Sequence, residues 1–161
     1  MIHGHRRRIA LAAGVLVLVG CSGGSPATFS LSDASVDPTY TCPAGAANSH
    51  YDIHGTIDAH NGTSKAVTIS AVDATLKLAA LKGSWLQKLG ETYDARNITF
   101  APGTVDAGAR ATVAVTIPSA CTGRSAASPV ASGDYEVRFT MTTSAGKFTL
   151  DSKDRHRIVT G

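Results

Sequence analysis

Residues 51–60 read Tyr51-Asp52-Ile53-His54-Gly55-Thr56-Ile57-Asp58-Ala59-His60. Apolar and polar side chains alternate with period two, which is the pattern of a half-buried strand. Tyr51, Ile53, Ile57 and Ala59 fall on one face, and Asp52, His54, Thr56, Asp58 and His60 on the other. Asn61-Gly62 follows at once, a dipeptide that favours the positive φ values of a tight turn. Lys65–Val72 then reads as a returning strand with Val67, Ile69 and Ala71 on one face, so the expectation is a hairpin.

The same alternation recurs down the chain. Phe29-Ser30-Leu31 reads as a first strand, with Asp33–Pro38 as turn or loop. Leu76, Leu78 and Ala80 fit a strand. Leu81, Trp85, Leu86 and Leu89 fit one side of a short helix, and Gly83 lies between the halves, so residues 76–89 stay open between strand and helix and read as a strand followed by a short helical or irregular segment. Trp85, the single tryptophan, is expected to pack in or over the core. Asn97–Phe100 is a short strand, and Pro102-Gly103 and Ala107-Gly108 are turns. Arg110–Ile117 alternates with Ala111, Val113, Val115 and Ile117 inward, and Pro118 is expected to stop it. Ser119–Ser132 is rich in Ser and Ala and reads as a loop. Tyr135, Val137, Phe139 and Met141 line one face of the next strand, and Ser144-Ala145-Gly146 turns the chain. Lys147–Leu150 and His156–Val159 form a last strand or an interrupted pair. Seven or eight short strands, separated by turns and without a long amphipathic helix, predict an all-β antiparallel sandwich.

Two passages carry a family resemblance. Phe100-Ala101-Pro102-Gly103-Thr104 followed by Ala107–Pro118, and Gly133-Asp134-Tyr135-Glu136-Val137 in a late strand, resemble bacterial Ig-like and fibronectin-like modules. The resemblance implies an Ig-like sandwich over residues 28–161. The chain departs from antibody domains, because Trp85 lies midway between Cys42 and Cys121, and Cys121 is expected in a loop after its strand.

At the N-terminus, Arg6, Arg7 and Arg8 precede an apolar run of 11 residues, Ile9 to Val19. A bilayer-spanning helix needs roughly 20 residues, so the run fits the apolar region of a secretory signal peptide. It ends in Leu18-Val19-Gly20-Cys21, which resembles the lipobox of bacterial lipoproteins. That resemblance implies removal of residues 1–20, lipidation of Cys21, a flexible tether over 21–27 and anchoring to the extracytoplasmic side of the bacterial cell membrane. Two or three acyl chains suffice for stable anchoring, whereas one is marginal. Palmitate is one such expected chain.

This reading reorganises the charge and the cysteines. The chain carries 15 Lys+Arg and 12 Asp+Glu, a formal charge of +3. The signal peptide removes the three arginines, leaving 12 basic residues against 12 acidic ones. The surplus is therefore no evidence for an anionic partner, and no nucleic acid is expected. With Cys21 set aside, Cys42 and Cys121 remain as a pair in a compartment that permits disulfides. A bridge would close a loop of about 80 residues, worth roughly 4–5 kcal/mol as an upper figure.

Candidate chemistry is sparse. Asp52, His54, Asp58 and His60, with His50 and His156, are the best metal ligands by type. His54 and His60 stand roughly 20 Å apart on one strand, too far to share an ion, so no metal and no cofactor is expected. No Gly-x-Ser-x-Gly elbow is present, and nothing positions Glu91 or Glu136 as half of a carboxylate pair, so no catalytic residues are assigned and no enzyme is expected. Asn61-Gly62-Thr63 and Asn97-Ile98-Thr99 match glycosylation sequons but read as a turn and a strand start. Lys153-Asp154-Arg155-His156-Arg157 is basic but diluted, and reads as a solvated strand end. The leading function is a lipid-anchored envelope module that binds an envelope protein or polymer, or serves structurally. The alternatives are a small-ligand or metal carrier and a small secreted enzyme.

Overall fold

A computed structural model describes residues 28–123 and 129–160. Eleven strands run in order: β1 Phe29–Val36, β2 Thr39–Cys42, β3 Ser49–Asn61, β4 Val67–Lys82, β5 Thr92–Asp94, β6 Thr99–Ala101, β7 Thr104–Val105, β8 Arg110–Cys121, β9 Ala131–Thr143, β10 Gly146–Asp151 and β11 His156–Thr160. One sheet has the order β1-β3-β8-β6. The other has β2-β11-β9-β4-β5, with β10 also on β9 and β7 on β4. In Ig terms these orders are A-B-E-D and A′-G-F-C-C′, so the strand order itself defines an Ig-like sandwich. All pairings are antiparallel except β2 with β11, which are parallel.

Alternation builds the core. Ile53, Ile57, Val113, Val115 and Ile117 of the first sheet face Leu76, Leu78, Val137, Phe139 and Met141 of the second, all essentially inaccessible to water. Each such side chain contributes roughly 1.5–3 kcal/mol of burial. The expected inward faces of β3, β8 and β9 are the observed ones.

Four local expectations are corrected. Residues 51–60 and 67–72 do not form a hairpin: β3 pairs with β1 and β8, while β4 pairs with β9, β5 and β7. The chain crosses between sheets at Asn61, and neither Asn61 nor Gly62 takes a positive φ. Strand β1 does not end at Asp33. A bulge between Ser32 and Ser35, with Asp33 at φ 48°, carries it on to Val36. Pro118 does not stop β8, which runs on to Cys121. Strand β6 ends opposite Thr116, so Pro118 lies where β8 is an edge and the missing N–H costs no ladder bond. Cys121 therefore closes a strand rather than sitting in a loop. After β4, of the two readings left open for the segment beyond Gly83, helical or irregular, the irregular one is observed, and residues 83–91 connect β4 to β5 without a helix. The strand count exceeds seven or eight because short strands such as β2, β5, β6 and β7 add to the long ones.

Asn61 is the polar hinge of the crossover. It is wholly buried. Its Nδ2 donates to the carbonyls of Lys65, Val105 and Asp106 at 2.8, 3.0 and 3.1 Å. Its Oδ1 accepts from the Thr63 amide at 3.0 Å and the Thr63 hydroxyl at 2.7 Å. The motif that reads as a sequon is thus an internally bonded corner. Replacing Asn61 with Ala should cost about 2–4 kcal/mol in denaturant unfolding, because buried carbonyls lose their donors. Asn61→Asp should be at least as damaging at neutral pH. A loss below about 0.5 kcal/mol for both would show that the corner holds nothing.

Cys42 and Cys121 are bonded, with Cα atoms 6.0 Å apart and 79 positions between them in sequence. The bridge joins the end of β2 in one sheet to the end of β8 in the other. As expected, it pins strand ends and does not cross the middle of the core. Loop-closure entropy sets its contribution at about 4–5 kcal/mol at most. The Cys42→Ala, Cys121→Ala double variant should unfold at correspondingly lower denaturant, and two freely alkylated thiols in the native protein would contradict the bridge.

Candidate functional site

The two sheets part at the pole where the disulfide lies. Three features of the chain open this end. Strand β8 outruns β6, leaving Pro118–Cys121 without a neighbour on one side. The β4–β5 connection carries Trp85, whose indole lies against Gly133 of β9. A bulge between Leu78 and Ala80 shifts the register of β4 against β9, so Leu81 pairs with Gly133. The result is a cleft of about 660 Å³ between the sheets, lined among others by Asn48, His50, Trp85, Tyr93, Asn97 and Tyr135. That volume lies within the range of small-molecule sites.

The aromatic wall is fixed from behind. Trp85 lies against the backbone at Gly133, where a Cβ would stand 2.6 Å from the indole, so only glycine admits the ring there. The indole Nε1 donates to the Tyr135 hydroxyl at 2.9 Å, and that hydroxyl donates to Gln87 Oε1. Tyr93 meets Tyr135 edge to face, with ring centroids 6.0 Å apart. Burial pushes the Tyr93 phenol up to about 12, opposed by a hydrogen bond with Ser119. Burial likewise raises Tyr135. These phenols stay protonated at neutral pH.

The rim is polar. The side chains of Asn48, His50, Arg96 and Asn97 have no hydrogen-bond or ionic partner among the described residues. Asn48 and Asn97 also adopt left-handed backbone conformations, at φ 49° and 56°, which asparagine tolerates better than most residues. Beside the mouth stand Leu86 and Val130, 84% and 60% exposed.

The residues singled out as metal ligands are dispersed. His54 Nδ1 and its backbone amide both meet Asp37 Oδ2, at 3.0 and 2.9 Å. Asp58 accepts from the Thr112 hydroxyl at 2.8 Å. His50 lines the cleft, whereas His156 is buried against Tyr51. Among the described residues, no three His, Cys, Asp or Glu gather as a metal group. The basic run at 153–157 is neutralised across strands. Arg157 pairs with Asp134 and Arg155 with Glu136, each at 2.6 Å. Cys21 lies outside the described residues, as does most of the segment Gly123–Ala127.

His156 has a structural task that its sequence position did not reveal. Its Nδ1 meets the Asp37 carbonyl at 2.7 Å and its Nε2 meets the Tyr51 hydroxyl at 3.1 Å. A carbonyl can only accept, so Nδ1 carries the proton and Nε2 accepts from Tyr51. Tyr51 in turn stacks on Tyr40 at 3.8 Å. Burial holds the His156 pKa below its ordinary 6.5, against a smaller upward pull from the Asp37 carbonyl. The unfolded chain therefore binds the proton first, and stability falls as pH drops below about 6.5. Asp134 and Asp151, held below their ordinary 3.8 by hydrogen bonds from Arg157 and Arg138, add their losses only at lower pH. His156→Gln should flatten the stability profile between about pH 6.5 and 5, whatever its effect on absolute stability. An unchanged slope there would rule out His156 as its source.

No known family and no curated protein matches the sequence. Among solved structures, the chain is similar to AggA, the major subunit of aggregative adherence fimbriae type I from Escherichia coli. The identity is 7% and the TM-score 0.38, over 83% of this chain and 95% of that one. It is also similar to PapD-like domain 7 of human CEP192, at 16% identity and TM-score 0.31, over 93% and 96% of the two chains. At these values neither likeness carries an argument about function, and the fold assignment rests on strand order.

Proposed function

We propose that the protein is a bacterial cell-envelope lipoprotein whose sandwich is a non-catalytic binding module. Cys21 carries the lipid, residues 21–27 form the tether, and the cleft engages the partner. One observation carries this reading: the two ends of the molecule are specialised differently. Phe29 pairs with Asn61, and the Gly62 amide donates to the Thr28 carbonyl at 2.9 Å. The tether therefore enters at the far end of β3 from the cleft. Strand β3 has 13 residues, which places the two poles about 40 Å apart. A domain anchored through residues 21–27 would hold its cleft away from the membrane, toward soluble or polymeric partners.

A second reading, a small-ligand carrier, draws on the size of the cleft. A carrier releases its ligand to another protein, whereas a module retains it, so exchange kinetics separate the two.

Growth of a lipoprotein-processing bacterial host with an alkyne-bearing palmitate tests the anchor. The full chain should take up label and sediment with membranes. Cys21→Ala should lose both properties. Absence of label in the natural chain, or label that persists in the variant, would contradict the lipoprotein reading.

A further inference from the structure

We propose that the cleft is a subsite for a neutral oligosaccharide. This rests on the binding-module reading and names its ligand class. A sugar ring has an apolar C–H face and an equatorial belt of hydroxyls. The cleft offers the complement of both. Trp85 and Tyr93, both half-buried, supply flat π surfaces, Tyr135 is buried behind them, and the polar atoms of these rings are already engaged with one another, Gln87 and Ser119. The rings therefore present faces and edges, and their positions are set before any ligand arrives, which lowers the entropic cost of binding.

The hydroxyl belt needs donors and acceptors that are not already satisfied. Asn48 and Asn97 provide them from two different loops lining the cleft, and their side-chain amides have no partner among the described residues. An amide offers both donor and acceptor atoms, which suits a hydroxyl that does the same. Arg96 adds a donor and Asp94 also lines the cleft, so the lining does not carry charge of a single sign that would select an ion. The charged groove on the outer face of the second sheet is a poorer candidate, because Glu136 already bridges Lys77 and Arg155, and Asp151 holds Arg138.

The single tryptophan makes the proposal directly measurable. Fluorescence of the full chain, reconstituted in vesicles, is titrated with chitotriose, cellotriose and maltotriose. At least one should give a saturable change in Trp85 emission, with a Kd of roughly millimolar or tighter. Tyr93→Ala should weaken that binding by roughly tenfold through the lost stacking surface. Asn48→Gly and Asn97→Gly remove the amides but keep a residue at ease with positive φ, so the fold survives, and each should weaken binding severalfold. No saturable change with any of the three sugars would overturn the proposal. So would binding that is unaffected by all three substitutions. Titration of Cys21→Ala in solution separates the two readings. Sugar binding without lipid labelling would sink the anchor and keep the subsite; labelling without sugar binding would do the reverse.

Discussion

The bond between Cys42 and Cys121 is the constraint on which the upper end of the molecule depends. Over most of its length the sandwich is held by packing: Phe139, Ile53, Leu76 and their neighbours exclude water, and the ladders satisfy the backbone. At the disulfide pole that mechanism gives out. Strand β2 is four residues long and pairs only with β11, while β8 runs beyond β6. A covalent link between the two strand ends replaces the side chains that would otherwise hold the sheets together. The bridge pins those strand ends with Cα atoms 6.0 Å apart, and the cleft lies beside it, with Cys121 in its lining.

The opposite pole uses a different device. Asn61 binds three carbonyls and both donors of Thr63, so the crossover from β3 to β4 is polar, buried and complete. Exposed ion pairs on the outer sheet face, such as Arg138 with Asp151, contribute little to stability, because solvent screens them. Their effect is on the surface: they cancel the local charge that the sequence displays around residues 153–157. The sandwich is thus closed by a bonded polar corner at the end where β1 begins, neutralised along one flank, and open at the other end.

The fold class was legible because burial on one face leaves a period-two signature, and β3, β8 and β9 display it plainly. The signature does not say which sheet a strand joins. Residues 51–60 and 67–72 each bury one face, and this is equally true of a hairpin and of two strands in facing sheets. Asn61 looked like a turn residue because its type is common in turns, whereas its buried side chain acts through Val105 and Asp106, more than forty positions away. Pro118 misled for a related reason, since its effect depends on whether β6 reaches that far. The disulfide was legible from compartment and parity. The cleft was not, because Asn48, Trp85, Asn97 and Tyr135 come from four separate segments. A single tryptophan after Gly83, near exposed leucines, was its only local trace.

The start of β1 and the cleft occupy opposite poles of one sandwich, and the proposed orientation of the anchored domain rests on that separation. Nitroxides at Ser30→Cys and Asn48→Cys would report this directly by pulsed electron resonance in the full chain with its disulfide intact. Ser30 pairs with His60 near the far end of β3, so the account predicts a single distance distribution centred at about 40 Å. A distribution centred below about 25 Å would place both sites at one end and contradict it.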